Sequence, residues 1–88
     1  MKTPVFTTRF RREIARIVAR GKSEAKFELL AAALLNGEHL ALSHRDHPLK
    51  GNWIGWRDCH IEPDWVLIYK ATGTEVIFAR TGTHSDLF

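Results

Sequence analysis

Five histidines punctuate this 88-residue sequence, at positions 39, 44, 47, 60 and 84. An unperturbed imidazole titrates at about 6.5 and holds either protonation state near neutrality, so these side chains are the natural proton carriers of the chain. Three of them sit in chemically suggestive company: His47 in "DHPL", His60 in "CHIEPDW" and His84 in "RTGTHSDLF". His60 and Asp64 are four residues apart, a metal-pair spacing on a helix, but Pro63 between them breaks a regular helix and favours a turn. His47, His60, His84 and Asp64 could together supply the three or four ligands of a zinc site. They lack the helical or CxxC spacing that makes such an assignment specific.

The same groups suit metal-free acid–base chemistry on RNA. A base would deprotonate a ribose 2′-hydroxyl while an acid protonates the leaving 5′-oxygen, and histidine serves both roles. Lys and Arg would stabilise charge developing on the phosphate, and Trp65 or Phe88 would stack on an extruded base. Plainer uses exist for each residue. Asp64 after Pro63 is an ordinary turn residue, Trp53 and Trp56 pack first, and Trp65 at a hairpin start can simply cover a sheet edge. Cys59 reads as a small core residue, since no neighbour clearly lowers its pKa.

Positioning these groups requires a scaffold whose elements are visible in the hydrophobic pattern. Thr3 to Thr7 forms a short strand with Pro4 near its start, consistent with a sheet edge. Phe10, Ile14, Ile17 and Val18 share one face of a helix over 8–20, which Gly21 ends. Ser23 caps a second helix with Phe27, Leu30, Ala31 and Leu34 as its buried stripe, and Asn36-Gly37 stops it. Residues 38–50 lose periodicity and form a crossing loop. "WRDCHIE" (56–62), "WVLIYKA" (65–71) and "EVIFART" (75–81) are strands of consecutive antiparallel hairpins, with Val66 to Tyr69 central. Strand alternation places Trp56, Asp58 and His60 on the open face, Arg57, Cys59 and Ile61 against the helices, and Phe78 and Arg80 on a shared face. The class is α+β, in a single domain over residues 1–88.

Composition bounds the function. A hydrophobic content of 44% with three Trp and five Phe belongs to a folded globule. One cysteine permits no internal disulfide, and the run "LLAAALL" is far shorter than the roughly 20 residues that span a bilayer. "MKTPVFTTRF" lacks the apolar stretch of a secretory signal, so a cytoplasmic protein is expected. Residues 1–26 hold eight Lys/Arg against two Glu, net +6, and the rest holds five against eight, net −3, with all five histidines. A basic N-terminal segment seeks polyanions through counterion release, or is an Arg-rich solvated helix face.

Residue order narrows the choice. "DHPLKGNWIGWRDCHIEPDWVLIY" at 46–69 and "RTGTHSDLF" at 80–88 resemble the signature of YafQ-type toxins, a branch of the RelE/ParE superfamily. The blocks cover about 33 of 88 residues and agree in identity, spacing and position, whereas residues 1–45 share only the strand and helical-hairpin plan. The resemblance implies a RelE-like fold, an N-terminal strand and two-helix hairpin packed on an antiparallel sheet. It implies a ribosome-dependent endoribonuclease that cuts mRNA in the ribosomal A site of the 70S ribosome and is held in a hetero-oligomer by a cognate antitoxin. It implies neither a metal nor another cofactor. Its catalytic positions fall on His47, His60, Asp64 and His84, and its substrate contacts on Trp65, Arg80 and Phe88. On this reading His60 and His84 transfer protons, Asp64 orients or tunes a histidine, and His47 and Arg80 engage the scissile phosphate. Trp65 and Phe88 hold bases, and Arg9, Arg11, Arg12 and Arg16 contact 16S rRNA. Trp56 stands where the family commonly has tyrosine. The competing readings are a non-catalytic RNA- or ribosome-binding module, and a ParE-like toxin with another target, which would share the fold without the histidine blocks.

Overall fold

The computed structural model describes residues 1–88. Strand β1 (Thr3–Phe6) precedes helices α1 (Thr8–Ala19) and α2 (Glu24–Leu35). Strands β2 (His47–Pro48), β3 (Arg57–Glu62), β4 (Trp65–Ala71) and β5 (Glu75–Gly82) follow, and helix α3 (His84–Leu87) closes the chain. Short 3₁₀ turns occupy Leu42–His44 and Gly51–Trp53. The five strands form one sheet in the order β1-β5-β4-β3-β2, antiparallel except where β1 runs parallel to β5.

Local chemistry sets these boundaries. Pro4 lies on the edge strand, where a missing N–H costs no central ladder bond. Thr7 leaves the strand and becomes the N-cap of α1, accepting from Phe10 N at 2.9 Å while its hydroxyl donates to Ala79 O at 2.9 Å. Gly21, at φ 108°, lets the chain leave α1, and Gly37, at φ 72°, does the same for α2. Ser23 sits at the N-cap of α2 without a side-chain capping bond.

Both faces of the sheet are covered. On one, Phe10 and Ile17 of α1 and the stripe Phe27, Leu30, Ala31 and Leu34 of α2 pack on Cys59, Ile61, Leu67, Tyr69, Val76 and Phe78. On the other, Val66, Ile68 and Ala79 carry a smaller cluster with Leu87 of α3, flanked by Leu49, Trp53 and Trp56. β4 lies at the centre and is buried on both faces from Trp65 to Tyr69, as its unbroken apolar run predicts. No helix is long and apolar enough to cross a membrane.

Three features depart from the sequence reading. The stretch 38–50 contains a short edge strand, with His47 paired to Asp58 and Pro48 to Arg57. Residues 84–87 are helical, too short to show periodicity. The third is a bulge: Tyr69 pairs with Phe78 but Ile68 pairs with Arg80, so Ala79 is extra and the alternation slips by one. Strand alternation therefore no longer relates Phe78 to Arg80, whose side chain reaches Glu13 of α1.

Candidate active site

Register assembles the site on the sheet face opposite the two long helices. Residues paired across strands project to the same side, so His47 shares a face with Asp58, and His60 shares one with Val66 in the smaller apolar cluster. Val66 also pairs with Gly82, which brings the start of α3 alongside His60. The imidazoles of His60 and His84 stand edge to face, their centroids 5.1 Å apart at 74°. The chain separation of 24 residues is closed by two hairpins.

Asp64, in the β3–β4 turn, fixes His84. Its Oδ1 accepts from the His84 backbone N–H at 3.0 Å and from the ring Nδ1 at 2.7 Å. That pairing places the proton on Nδ1 and leaves Nε2 for a substrate. The backbone N–H of His84 and then its imidazole hold the Asp64 carboxyl below the usual carboxylate range. Phe88 stands 6.5 Å from the His84 ring and is 65% exposed, so a base can reach its face.

Asp58 is the residue that sequence reasoning did not single out for chemistry. It is 6% exposed, and its Oδ1 lacks a hydrogen-bond partner although His47 Nδ1 stands 3.2 Å away. His47 directs that nitrogen to the Arg45 carbonyl at 2.7 Å. Arg45 itself has φ 48°, a left-handed conformation that costs a non-glycine residue strain. Burial raises the Asp58 carboxyl, while His47, His60 and His84 pull it down. A carboxylate in mid-strand was the available signal, because Asp is depleted from strands.

Burial also lowers the His60 pKa; Asp58 opposes the shift, and His84, Arg45 and His47 add to it. His60 is thus biased toward its neutral form. Two imidazoles in van der Waals reach, one of them held by a carboxylate, give the spatial arrangement that a base and an acid require.

Two expected substrate contacts are buried and already partnered within the fold. Trp65 is fully buried in the helix-side core and donates Nε1–H to Thr81 Oγ1 at 2.8 Å, so neither ring face is open to a base. Parity places it there: Trp65 begins the central strand on the side of Leu67 and Tyr69. Arg80 is 9% exposed and committed to Glu13 of α1 through Nε at 3.2 Å and Nη2 at 2.6 Å, a bidentate pair that occupies the fork a phosphate would take. His47, His60, Asp64, His84 and Phe88 do gather at one end of the sheet. They do not converge as a metal-binding cluster of three or more His, Cys, Asp or Glu side chains. Arg9, Arg11, Arg12 and Arg16 are all exposed on α1 and none forms an ion pair, with Arg11 5.8 Å from the Phe6 ring centroid.

Residues 2–88 match the family described as "Bacterial toxin of type II toxin-antitoxin system, YafQ". The mRNA interferase toxin YafQ of Escherichia coli K12 is 40% identical over 84 residues, 94% of this chain and 91% of that protein. The crystal structure of the E. coli DinJ-YafQ complex superposes with a TM-score of 0.92 at 38% identity, covering 100% of this chain and 99% of that one. A copper-bound toxin variant from Helicobacter pylori superposes with a TM-score of 0.95 at 32% identity over the full length of both chains. This chain belongs to the YafQ family of bacterial type II toxin–antitoxin toxins.

Proposed function

We propose that the chain is an mRNA interferase: a ribosome-dependent endoribonuclease that cuts mRNA in the A site by metal-independent acid–base catalysis. The observation that carries this reading is the edge-to-face pair of His60 and His84, with Asp64 fixing the Nδ1 proton of His84. Neutral His60 takes the proton of a ribose 2′-hydroxyl, and the 2′-oxygen attacks the adjacent phosphorus. The bond from phosphorus to the 5′-oxygen breaks, and His84 gives its Nε2 proton to that oxygen. The products are a 2′,3′-cyclic phosphate and a 5′-hydroxyl. His47, exposed at the rim of the site, supplies positive charge to the phosphate when protonated. Phe88 offers the stacking surface for a flanking base.

The exposed arginines of α1 would dock the protein on ribosomal RNA in the cytoplasm. A cognate antitoxin would neutralise it in a hetero-oligomer, as the DinJ-YafQ complex pairs the E. coli toxin with a second protein. Primer extension on a translated mRNA tests the reading. Cleavage inside A-site codons should fall by about two to four orders of magnitude in His60→Ala and in His84→Ala. A cut that survives in the double variant overturns the assignment. Because the H. pylori relative binds copper, the assay is repeated in excess chelator: undiminished cleavage is expected, and its loss would overturn the metal-independent step.

A further inference from the structure

We infer that Asp86 and Arg20 are positioning residues that clamp the terminal helix and thereby set His84 against His60. The inference rests on the proton-transfer role proposed for His84, and it concerns how a four-residue helix can hold a reacting group. One turn of helix has no stability of its own, because nucleation costs more than a single turn returns. Chain ends fray unless tied down. α3 must therefore be fixed from outside.

Beyond the bonds from His84 to Asp64, three further ties converge on it. Leu87 is buried in the apolar cluster below His60. Thr83 and Asp86 form a reciprocal capping box, with Thr83 N–H donating to Asp86 Oδ2 at 3.0 Å and Asp86 N–H donating to Thr83 Oγ1 at 3.2 Å. The same Oδ2 accepts from Arg20 Nη1 at 2.9 Å, a contact that spans 66 residues and joins the C-terminal end of α1 to α3. The Thr83 N–H and then the Arg20 guanidinium hold the Asp86 carboxyl down, at about 2, so the pair stays charged across the physiological range. Asp86 thus both caps the helix and anchors it to α1.

The fold makes room for this clamp at Gly82. A Cβ there would stand 2.9 Å from Asp86 Cβ and 3.0 Å from Oδ2. Gly82 has no positive φ, so its backbone conformation does not call for glycine. The close approach of Asp86 does.

The test is single-turnover cleavage of mRNA on saturating ribosomes, with Arg20→Ala, Asp86→Asn, their double variant, Arg20→Lys and Gly82→Ala. Asp86→Asn keeps an oxygen for the Thr83 N–H and removes only the charge. Each of the first two should slow the saturated rate about two- to fivefold, the range set by a partly exposed ion pair, with ribosome affinity unchanged. The double variant should be no slower than the slower single, and Arg20→Lys should recover most of the loss. Gly82→Ala should cost about tenfold or more, since it displaces the reacting group. The Phe88 amide, bonded to His84 O at 2.9 Å, should exchange faster with solvent in every variant except Arg20→Lys. Multiplicative losses in the double variant, a loss confined to ribosome affinity, or an unchanged Phe88 exchange rate would each overturn the clamp. His84→Ala is the control: if it cleaves like the parent, the role of His84 fails, while Phe88 exchange still reports whether the clamp exists.

Discussion

Asp58 Oδ1 and His47 Nδ1 stand 3.2 Å apart without forming a hydrogen bond, because the histidine gives that nitrogen to the Arg45 carbonyl. The pair is an electrostatic contact alone, made by a carboxylate that burial disfavours. Its cost falls on the folded state, and its benefit falls on the three histidines around it. Asp58→Asn should therefore stabilise the protein at pH 7 by about 1 kcal/mol, since it removes an unsatisfied buried charge. For a domain of this size that is a rise in Tm of about 5 °C. The folded Asp58 pKa is raised, so this gain should disappear as pH falls through it and the parent carboxyl also becomes neutral. Thermal melts of both proteins across the acid range check the sign.

The same substitution should move the pH dependence of cleavage. The His60 pKa is depressed chiefly by burial, so the acid limb of the single-turnover rate should lie below the ordinary histidine value of about 6.5. Asp58 opposes that depression. Removing its charge takes away a group that favours imidazolium, and the limb should shift further down in Asp58→Asn. An upward shift would mean that His60 is not the base.

Trp65 should prove a stability residue. Trp65→Phe loses the Nε1–H bond to Thr81 and leaves a small void, about 1–2 kcal/mol, whereas Trp65→Ala should cost about 3–5 kcal/mol. Thr81 Oγ1 keeps its 2.8 Å bond to the Val66 carbonyl in either variant. Cleavage per folded molecule should be unchanged in Trp65→Phe. A hundredfold loss at unchanged stability would show that the indole leaves the core to meet a base.

The fold was legible where periodicity is strong. The stripe Phe27, Leu30, Ala31 and Leu34, and the doubly apolar run Val66 to Tyr69, placed α2 and the central strand within a residue or so. The features that escaped are those with no period to read. A bulge at Ala79 is one extra residue whose only trace is its partner's register. The two-residue strand at His47 exists because β3 offers an edge. The engagement of Trp65 and Arg80 inside the fold escaped for a related reason: residue type and family position say nothing of burial. The proximity of His60, Asp64 and His84 follows from a turn and two hairpins that close their separation. Asp58 lay in plain view, but its chemistry depends on three histidines from other elements.

The arginines of α1 give the last prediction, because their freedom is visible in contrast with their neighbours. Arg20 is held by Asp86, Lys22 and Lys26 by Glu62, and Arg80 by Glu13. Arg9, Arg11, Arg12 and Arg16 are exposed with no such partner, so they keep their charge for an external polyanion. Each phosphate neutralised releases counterions and adds a little under one to the slope of log affinity against log salt. Replacing all four with Ala should lower the steepness of ribosome binding by roughly three, weaken binding most at low salt, and leave the saturated cleavage rate intact. Filter binding over a salt series measures the slope directly. If the slope does not change, α1 faces solvent or the antitoxin, and the ribosome is held by another surface.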